Sequence, residues 1–471
     1  MTVRIAMKFG GGALKDAAGV EQVAKITKSF TEKGNQMILT VSALGGVTDA
    51  LIEMMGRITS TKRNWIDGAI DSLTSTHIGA IKGISDEVIA QRAVKKVRTQ
   101  LDELKNVVLG MTHVGELTPR SKDLLLSFGE RLSTPIIASA IEAKGIKTKP
   151  LTGGEAGILT DENFGSAEPL MNVTSMQAKQ ILEPILAEGI IPVISGYIGM
   201  TQQGIITTLG RGGSDYTAAI IGLSLNADEL WFWKDVPGIM TADPSLCKNS
   251  RLIAKIAFDE AIEIAHFGAR VIHPRALEVG LESDLTYRIK SIWNPDNDGT
   301  LVVRSADAKD SEVATIRAIS VIDKVYLINI SGARLVGTPG VAARVLELLA
   351  NEDTDVLMIS QSSSEANMSI AVPGTDADRA MNALELSLLG SKLVREIKGE
   401  EGYCIVAAVG RGMRGTPGVA ARVFKSMADR CINIRTIAQG SSELNISFMV
   451  DRKDEKAAVQ ALHDDFGLDR A

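Results

Sequence analysis

The sequence predicts a large α/β domain with a largely parallel central sheet, followed by two copies of a smaller α+β unit. In residues 1–305, short apolar runs rich in β-branched residues alternate with longer helical patterns, which is typical of a parallel sheet covered by helices. In the remainder, the nonapeptide Gly337–Val345 (GTPGVAARV) recurs as Gly415–Val423. Nine consecutive identities indicate that one unit was duplicated.

The length and net charge of the chain restrict the classes of function that it can have. The chain has 471 residues, which is too long for a single core. Its 51 basic and 57 acidic residues give a net charge of −6, so no nucleic-acid or membrane partner is predicted. The first residues resemble neither a signal peptide nor a membrane span, so we expect a cytoplasmic protein. Its three cysteines and five histidines lack metal-site or disulfide spacing, and no metal site made of side chains is predicted.

The elements of the first domain can be placed along the chain by apolar pattern and turn residues. The expected strands are Val3–Phe9, Met37–Val41, Ile190–Ile194, Gly204–Thr208 and Glu229–Trp233. The expected helices include Asp16–Lys33, Pro119–Lys144 with Thr118 as N-cap, and Tyr216–Leu225. The turn-rich stretch 294–300 (NPDNDGT) places the end of this domain at about residue 305.

Each repeat has the order strand, helix, strand, strand, helix, which is that of a ferredoxin-like domain. The first strands are predicted at Val325–Ile330 and Cys404–Ala408. Thr338 and Thr416 are predicted as helix N-caps, because a proline follows each of them. The expected domains are 320–397 and 398–471, with residues 307–319 as a candidate edge strand of the second.

Two glycine-rich turns follow predicted strands. The first is residues 8–12 (KFGGG) and the second is residues 210–216 (GRGGSDY). Glycines let backbone N–H groups approach an anion, and a helix start adds a favourable dipole. The first turn alone is better explained as a tight structural connection, whereas the second gathers Arg211, Ser214 and Asp215 where α/β sheets bind ligands. Neither turn matches a Walker A loop or a dinucleotide fingerprint.

Three further stretches carry polar or small residues near predicted strand or helix positions. They are residues 41–49 (VSALGGVTD), residues 233–244 (WKDVPGIMTADP) and residues 127–131 (SFGER). A glycine in mid-helix, Gly129, costs about 1 kcal/mol relative to alanine and often permits close approach of a ligand or another backbone. Each stretch alone fits a simple connection or a solvated helix face.

In this order, the motifs KFGG, VSAxxGVT, SFGERLS, GGEAGILTD, TTLGRGGSDYTAA, KDVPGIMTADP and FGARVIHP resemble those of the aspartate kinases, members of the amino-acid kinase superfamily. The repeats resemble the ACT domains of those enzymes. The resemblance covers essentially the whole chain and implies an amino-acid kinase fold with two ACT domains. It also implies ATP-dependent phosphorylation of L-aspartate with Mg²⁺, giving 4-phospho-L-aspartate for lysine, threonine and methionine biosynthesis. Lysine or threonine would inhibit through the ACT domains, and the protein would be a homodimer or higher homo-oligomer.

The resemblance also implies site residues by motif position. Lys8 and Asp215 would act on the transferring phosphoryl group, Arg211 would bind the substrate α-carboxylate and Glu130 its α-ammonium. The other implied substrate contacts are Ser42, Thr48 and Ser214. The implied ATP contacts are Lys8, Gly10, Gly11, Lys234, Asp235, Met240, Thr241, Asp243 and Arg270, with Gly10 and Gly11 as backbone donors. The implied effector contacts are Gly337, Asp355, Gln361, Asn367, Gln439 and Asn445. Mg²⁺ would bridge the β- and γ-phosphates, held mostly by phosphate and water.

Three departures from the family pattern keep two alternatives open. Gly12-Ala13-Leu14 stands in place of Thr-Ser-Val, and Met240 and Ser245 replace the usual Tyr and Arg. One alternative is a catalytically weak homologue that acts as an amino-acid sensor. The other is a kinase of the same superfamily with another substrate. Phosphorylation of aspartate needs no general base, because a carboxyl group with a pKa of about 3.9 is ionised at neutral pH.

Overall fold

The structure is a computed structural model that describes residues 3–59, 64–268, 271–304, 314–332, 340–361, 367–389 and 394–470. The chain forms two compact units. The first comprises Met1–Ile239, Ala254–Ile262 and Arg270–Ala306, and the second comprises Met240–Ile253, Glu263–Ala269 and Asp307–Ala471. The sequence placed one boundary near residue 305, whereas two segments upstream of it, 240–253 and 263–269, cluster with the second unit.

The first unit is built on a sheet whose described strands follow the order β3-β4-β2-β1-β7-β9-β10-β8. Neighbouring strands are parallel except for β9 and β10, which confirms the predicted largely parallel sheet. The strands are β1 (Arg4–Phe9), β2 (Gln36–Val41), β3 (Thr148–Leu151), β4 (Ile191–Ser195), β7 (Glu229–Lys234), β8 (Lys255–Ala257), β9 (Thr286–Ser291) and β10 (Thr300–Val303), with a separate antiparallel hairpin of β5 (Ile198–Met200) and β6 (Ile206–Thr208).

Helices cover this sheet; Thr118 is the N-cap that the sequence predicts for α5, and Asp16, predicted as the first helical residue, is the N-cap of α1. Asp16 accepts a hydrogen bond from the Gly19 N–H, and Thr118 forms a capping box with Ser121. The helices are α1 (Ala17–Glu32), α2 (Val47–Ile58), α3 (Trp65–Ile81), α4 (Glu87–Val114), α5 (Pro119–Glu142), α6 (Met171–Ala187), α7 (Gly213–Ser224), α8 (Phe258–His266) and α9 (Pro274–Leu281). Among the described residues, α5 is the one helix long and apolar enough to cross a membrane, and 83% of that apolar stretch is buried in the fold.

The second unit contains an antiparallel sheet in the order β12-β13-β11-β14-β16-β15 across its described strands. Its elements repeat the order strand, helix, strand, strand, helix twice, which confirms the two predicted ferredoxin-like domains. They are β11 (Ala318–Ser331), α10 (Val341–Asn351), β12 (Met358–Gln361), β13 (Asn367–Pro373) and α11 (Ala377–Leu384), then β14 (Glu396–Val409), α12 (Val419–Ala428), β15 (Ile434–Ala438), β16 (Asn445–Asp451) and α13 (Glu455–Asp465).

The two repeats share their first strands. Both β11 and β14 have 14 residues, roughly twice the length of an ordinary strand. The first part of β11, from Ala318 to Ile322, pairs with β14 from Val409 back to Ile405, next to the strands of the second repeat. The second part of β11, from Val325 to Ser331, lies between β13 and the first part of β14. Each repeat is therefore completed by part of the other repeat's long strand.

The predicted threonine cap of the second repeat is wrong. Helix α12 begins at Val419, and its N-cap is Gly418, whose φ is 87°. Thr416 donates its hydroxyl hydrogen bond to the Gly412 carbonyl instead. A backbone with positive φ favours glycine, so the chain turns into the helix at the glycine of the motif and not at the threonine. Thr338, the matching residue of the first repeat, lies outside the described residues.

Candidate active site

Three charged side chains meet at the carboxyl edge of the parallel sheet in the first unit. Lys8 is near the end of β1 and Lys234 ends β7, and these two strands are parallel neighbours. Asp215 lies in the first turn of α7. Its Oδ1 is 2.7 Å from Lys8 Nζ, and both of its carboxylate oxygens are 3.1 Å from Lys234 Nζ. The side chains are only 6%, 13% and 9% exposed for Lys8, Lys234 and Asp215. We call these three residues the charge cluster.

The charge cluster carries one net positive charge when both lysines are protonated. Burial by itself raises the pKa of Asp215, but Lys234 and Lys8 outweigh it and hold the pKa well below its usual range. Burial lowers the pKa of Lys234 to about 8, with Asp215 opposing that shift and Lys8 adding to it. The protonation of Lys234 therefore depends on the charges around it. An anion bound beside Lys234 would stabilise its protonated form.

Gly10 and Gly11 follow β1, and Gly10 lies beside the charge cluster. A Cβ added at Gly10 would lie 3.4 Å from Lys234 Cδ and 3.5 Å from Lys8 Nζ. The Gly10 N–H donates to the Trp233 carbonyl at 3.1 Å, so this N–H already has a partner in the fold, and its use as a phosphate donor stays a prediction. Gly11 begins a short 3₁₀ turn, and a Cβ there would lie 3.0 Å from the Ala43 carbonyl oxygen.

Gly12 lies against the carboxylate of Asp235. A Cβ added at Gly12 would lie 2.7 Å from Asp235 Oδ2, closer than a Cβ normally approaches another atom, so the Asp235 side chain would have to shift. Asp235 is exposed, and its Oδ2 is 3.7 Å from Lys15 Nζ. A glycine at position 12 therefore accommodates this carboxylate beside the glycine turn. The Asp235 carboxylate thus lies where the side chain of the threonine in the family pattern would begin.

Glu130 lies on α5 and is 5% exposed. Gly129 before it lets the helix approach Ala43, since a Cβ at Gly129 would lie 3.0 Å from the Ala43 Cβ. Ser214 Oγ donates to Glu130 Oε1 at 3.1 Å. Burial raises the pKa of Glu130 to about 7, against the opposing hydrogen bonds from the Ala43 backbone and Ser214 and the charge of Lys8. A cationic ligand group would favour the ionised form of this carboxyl and bind to it.

Hydroxyl groups fix the backbone around Glu130. Thr134 Oγ1 donates to the Glu130 carbonyl oxygen at 2.7 Å, and Ser133 Oγ donates to the Ser42 carbonyl oxygen at 2.7 Å. The half-buried Ser42 follows β2, and the exposed Thr48 lies in the first turn of α2. The structure thus brings Ser42 close to the helix that carries Glu130.

Arg211 lies in the turn immediately before α7. It is exposed and stands between Gly210 and Gly212, whose φ angles are 73° and 72°. A Cβ added at Gly212 would lie 2.1 Å from the His273 ring, so only glycine fits there. The same short stretch therefore presents Arg211, Ser214 and Asp215.

Three of the remaining predicted nucleotide contacts, Met240, Thr241 and Asp243, belong to the second unit. Thr241 is 4% exposed, and its Oγ1 accepts the Arg251 N–H at 2.9 Å and lies 3.0 Å from His463 Nε2. Asp243 is exposed and accepts the Ser245 N–H at 2.8 Å, and Met240 forms a backbone bridge with Leu252. The Thr241 hydroxyl is already bound within its own unit, which argues against the predicted nucleotide contact. Arg270 lies outside the described residues.

The predicted effector residues have unequal surroundings. Gln361 and Gln439 are exposed at the ends of β12 and β15, two strands whose Cα atoms approach within 8 Å, and Asp355 is exposed just before β12. Asn367, the first residue of β13, is half-buried. Its repeat partner Asn445 is 8% exposed, and its Nδ2 donates to Glu263 Oε2. The Asn445 amide is therefore already bound to the half-buried Glu263, and the effector roles of the two asparagines stay predictions. Gly337 lies outside the described residues.

Sequence reasoning missed one buried carboxylate close to this site. Asp123 on α5 is completely buried and accepts hydrogen bonds from Thr208 and from the Gly165 N–H. The available signal was a single acidic residue in an apolar stretch (DLLLSF), seven positions before Glu130 and so two turns earlier on the same helix face. An acidic residue there would be costly unless it had partners.

Two families of known proteins match this chain. The family described as "Amino acid kinase family" matches residues 3–291, and an ACT domain family matches residues 328–388 and 406–466. The aspartokinase of Geobacillus stearothermophilus is 31% identical over 98% of this chain and 97% of its own length.

Two solved structures are similar over nearly the whole chain. E. coli aspartokinase III in complex with aspartate and ADP (R-state) superimposes with a TM-score of 0.82 at 28% identity, covering 98% of this chain and 99% of that one. The same enzyme in complex with lysine and aspartate (T-state) gives a TM-score of 0.79 at 27% identity, with coverages of 98% and 99%.

Proposed function

The chain belongs to the aspartokinases of the amino acid kinase family, and on that premise we propose that it transfers the γ-phosphoryl group of ATP to the β-carboxylate of L-aspartate. The products are ADP and 4-phospho-L-aspartate, the first step towards lysine, threonine and methionine. The observation that carries the proposal is the charge cluster, in which Lys8 and Lys234 share one buried carboxylate at the edge of the sheet.

The main barrier to this reaction is the approach of two anions, the γ-phosphate and the carboxylate. Lys8 and Lys234 supply fixed positive charge where negative charge spreads in the transition state. Asp215 holds both ammonium groups in place before substrate arrives, so little reorganisation is needed during the reaction. No side chain has to act as a general base, because the attacking carboxylate is already ionised.

The substrate is held at its other end by Arg211 and Glu130. The planar guanidinium of Arg211 binds the α-carboxylate through two parallel hydrogen bonds. The Glu130 carboxylate accepts the α-ammonium, and Ser214 holds Oε1 at 3.1 Å. Binding the amino and carboxylate groups of the substrate leaves its β-carboxylate free to face the charge cluster.

Mg²⁺ fits this site as an ion held mainly by nucleotide phosphates and water. Within the described residues no group of three or more His, Cys, Asp or Glu side chains could hold a metal, and both oxygens of Asp215 are bound by Lys234. We propose that the exposed Asp235 holds one of the waters of the ion. When bound, Mg²⁺ neutralises charge on the β- and γ-phosphates.

A substrate panel tests the proposed activity. ADP release is measured in a coupled assay with ATP and Mg²⁺ and with L-aspartate, L-glutamate, N-acetyl-L-glutamate or carbamate as acceptor. The proposal expects turnover with L-aspartate and loss of turnover when EDTA removes Mg²⁺. Turnover with another acceptor would indicate the second alternative, a related kinase. No turnover with any acceptor, together with amino-acid binding by calorimetry, would indicate the sensor.

The proposal includes feedback inhibition, self-association and a cytoplasmic location. Inhibition by lysine or threonine is supported by the two ACT domains and by the lysine complex of the E. coli relative. A homodimer or higher homo-oligomer, formed through the ACT domains, is tested by light scattering coupled to gel filtration. The cytoplasmic location is tested by cell fractionation. Titrating each amino acid into the kinase assay identifies the effector, and a lack of inhibition by both would exclude these two.

A further inference from the structure

The turn that carries Arg211 contains two glycines, so its own sequence does not fix its conformation. We call residues 209–212, between β6 and α7, the arginine loop. Arg211 stands between two glycines with positive φ, and glycine has the widest conformational freedom of any residue. A bidentate contact to a carboxylate requires a well-defined guanidinium position. The loop must therefore be held by contacts from outside it.

The first contact comes from Asp123 on α5. Its Oδ2 accepts the Thr208 N–H at 2.8 Å and the Gly165 N–H at 3.1 Å, and its Oδ1 accepts the Thr208 hydroxyl at 2.8 Å. The fully buried carboxyl group of Asp123 therefore ties two backbone N–H groups and one hydroxyl to α5. Thr208 is the last residue of β6, directly before the arginine loop.

The second contact comes from Arg275 on α9. Its Nη1 donates to the Leu209 carbonyl at 2.7 Å, and its Nη2 donates to both oxygens of Glu168 at 2.9 Å. The guanidinium lies 4.3 Å from the centre of the Tyr216 ring. One side chain thus contacts the first residue of the arginine loop and a residue in the first turn of the helix that follows it.

We propose that Asp123 and Arg275 are positioning residues for substrate binding, holding the arginine loop so that Arg211 meets the α-carboxylate. The inference rests on the proposed role of Arg211. Neither residue needs to contact the substrate, because Asp123 acts through Thr208 and Arg275 through the Leu209 carbonyl. A displacement of about 1 Å in such a group reduces catalysis by up to about a hundredfold.

The test separates the Michaelis constants of the two substrates. Asp123→Ala removes both acceptor oxygens and with them all three hydrogen bonds, so the KM for aspartate should rise about tenfold or more, while the KM for ATP stays within about twofold. Asp123→Asn keeps one oxygen for the two N–H donors, so it should show a smaller rise. Thr208→Val removes only the hydroxyl contact to Asp123, and it replaces Asp123→Ala in this test if that variant fails to fold. Arg275→Lys should raise the aspartate KM, because lysine cannot contact both Leu209 and Glu168 as a fork.

Matched controls distinguish positioning from general damage. Ser139→Ala alters another buried polar residue of α5 and should leave both Michaelis constants unchanged. Unfolding followed by tryptophan fluorescence reports on the first unit, since Trp65, Trp231, Trp233 and Trp293 all lie in it. A parallel rise of both Michaelis constants in Asp123→Asn and Thr208→Val would mean that the role is merely structural and would overturn the inference.

A double-mutant cycle separates this inference from the proposed role of Arg211. If Asp123 acts through Arg211, then Asp123→Ala should add little to the aspartate KM once Arg211→Ala is present. An unchanged aspartate KM in Arg211→Ala would remove Arg211 from the site and overturn the inference with it. If Arg211→Ala raises the KM while Asp123→Ala and Arg275→Lys do not, the role of Arg211 stands and the inference alone fails.

Discussion

The charge cluster of the first unit brings together residues that are separated in the sequence, whereas the repeats of the second unit place identical residues in different surroundings. Lys8, Asp215 and Lys234 are far apart in the chain, yet they meet within hydrogen-bonding distance. Asn367 and Asn445 stand at matching positions of a duplicated sequence, yet Asn367 is half-buried whereas Asn445 is only 8% exposed. Residues that are distant in sequence can share a role, and residues at identical positions of a repeat can have different roles. In each case the three-dimensional surroundings of the side chain decide the role.

The largest effect is expected from removing the carboxylate of the charge cluster. Asp215→Asn leaves two buried lysines without their counter-ion, and breaking a buried ion pair typically costs about 3–5 kcal/mol. Urea unfolding followed by tryptophan fluorescence measures the loss in the first unit. The control is Glu21→Gln, which breaks the exposed Glu21–Lys25 pair and should change stability by less than about 1 kcal/mol. Equal losses in the two variants would show that the charge cluster does not depend on Asp215.

Lys8→Ala should reduce kcat by about a hundredfold to a thousandfold, because a fixed charge is lost where the transition state becomes most negative. The KM for ATP should change much less, since the ground state depends less on this charge. Steady-state kinetics at saturating aspartate measures both constants. Lys25→Ala, on the exposed face of α1, is the matched control. Wild-type kcat in Lys8→Ala would remove the residue from catalysis.

The pKa values of Glu130 and Lys234 predict a narrow pH optimum. The α-ammonium binds ionised Glu130, whose pKa is raised to about 7 by burial, so kcat/KM for aspartate should rise as the pH increases through 7. The lowered pKa of Lys234, about 8, should make kcat/KM fall at higher pH as the ammonium loses its proton. Glu130→Gln should flatten the acid limb and leave the alkaline limb in place. A flat profile of the wild-type enzyme between pH 6 and 9 would contradict both assignments.

The smallest effect is expected from the paired asparagines. Asn367→Ala should weaken inhibition by the effector, lysine or threonine, by about fivefold, the value of one hydrogen bond. Asn445→Ala should leave inhibition unchanged and destabilise the second unit by about 1–3 kcal/mol, because the Glu263 carboxylate loses a buried partner. Inhibition curves and scanning calorimetry measure the two effects. Gln361→Ala tests whether the neighbouring strand end contributes to the same site. Equal loss of inhibition in both asparagine variants would restore the symmetric interpretation.

Much of the fold follows from local sequence signals. The alternation of apolar runs and helical patterns predicts the parallel sheet, and the repeated nonapeptide predicts the two ferredoxin-like domains. The observed helix starts differ from the predicted ones where a glycine, and not a side-chain cap, precedes the helix. Helix α7 begins at Gly213 instead of Tyr216, and α12 begins after Gly418 instead of Thr416. In both cases a glycine with positive φ starts the helix, and backbone angles of this kind are weakly encoded by pattern alone.

The sequence by itself determined that Lys8 ends a strand, that Asp215 opens a helix and that the C-terminal unit is duplicated. These are properties of neighbouring residues, set by turn chemistry and apolar periodicity. Only the tertiary structure decided that Lys234 and Lys8 share Asp215, that Asp123 and Arg275 hold the arginine loop, and that segment 240–253 joins the second unit. Such pairings depend on strand register and burial. Both are fixed by contacts between distant parts of the chain, and a linear pattern does not contain them.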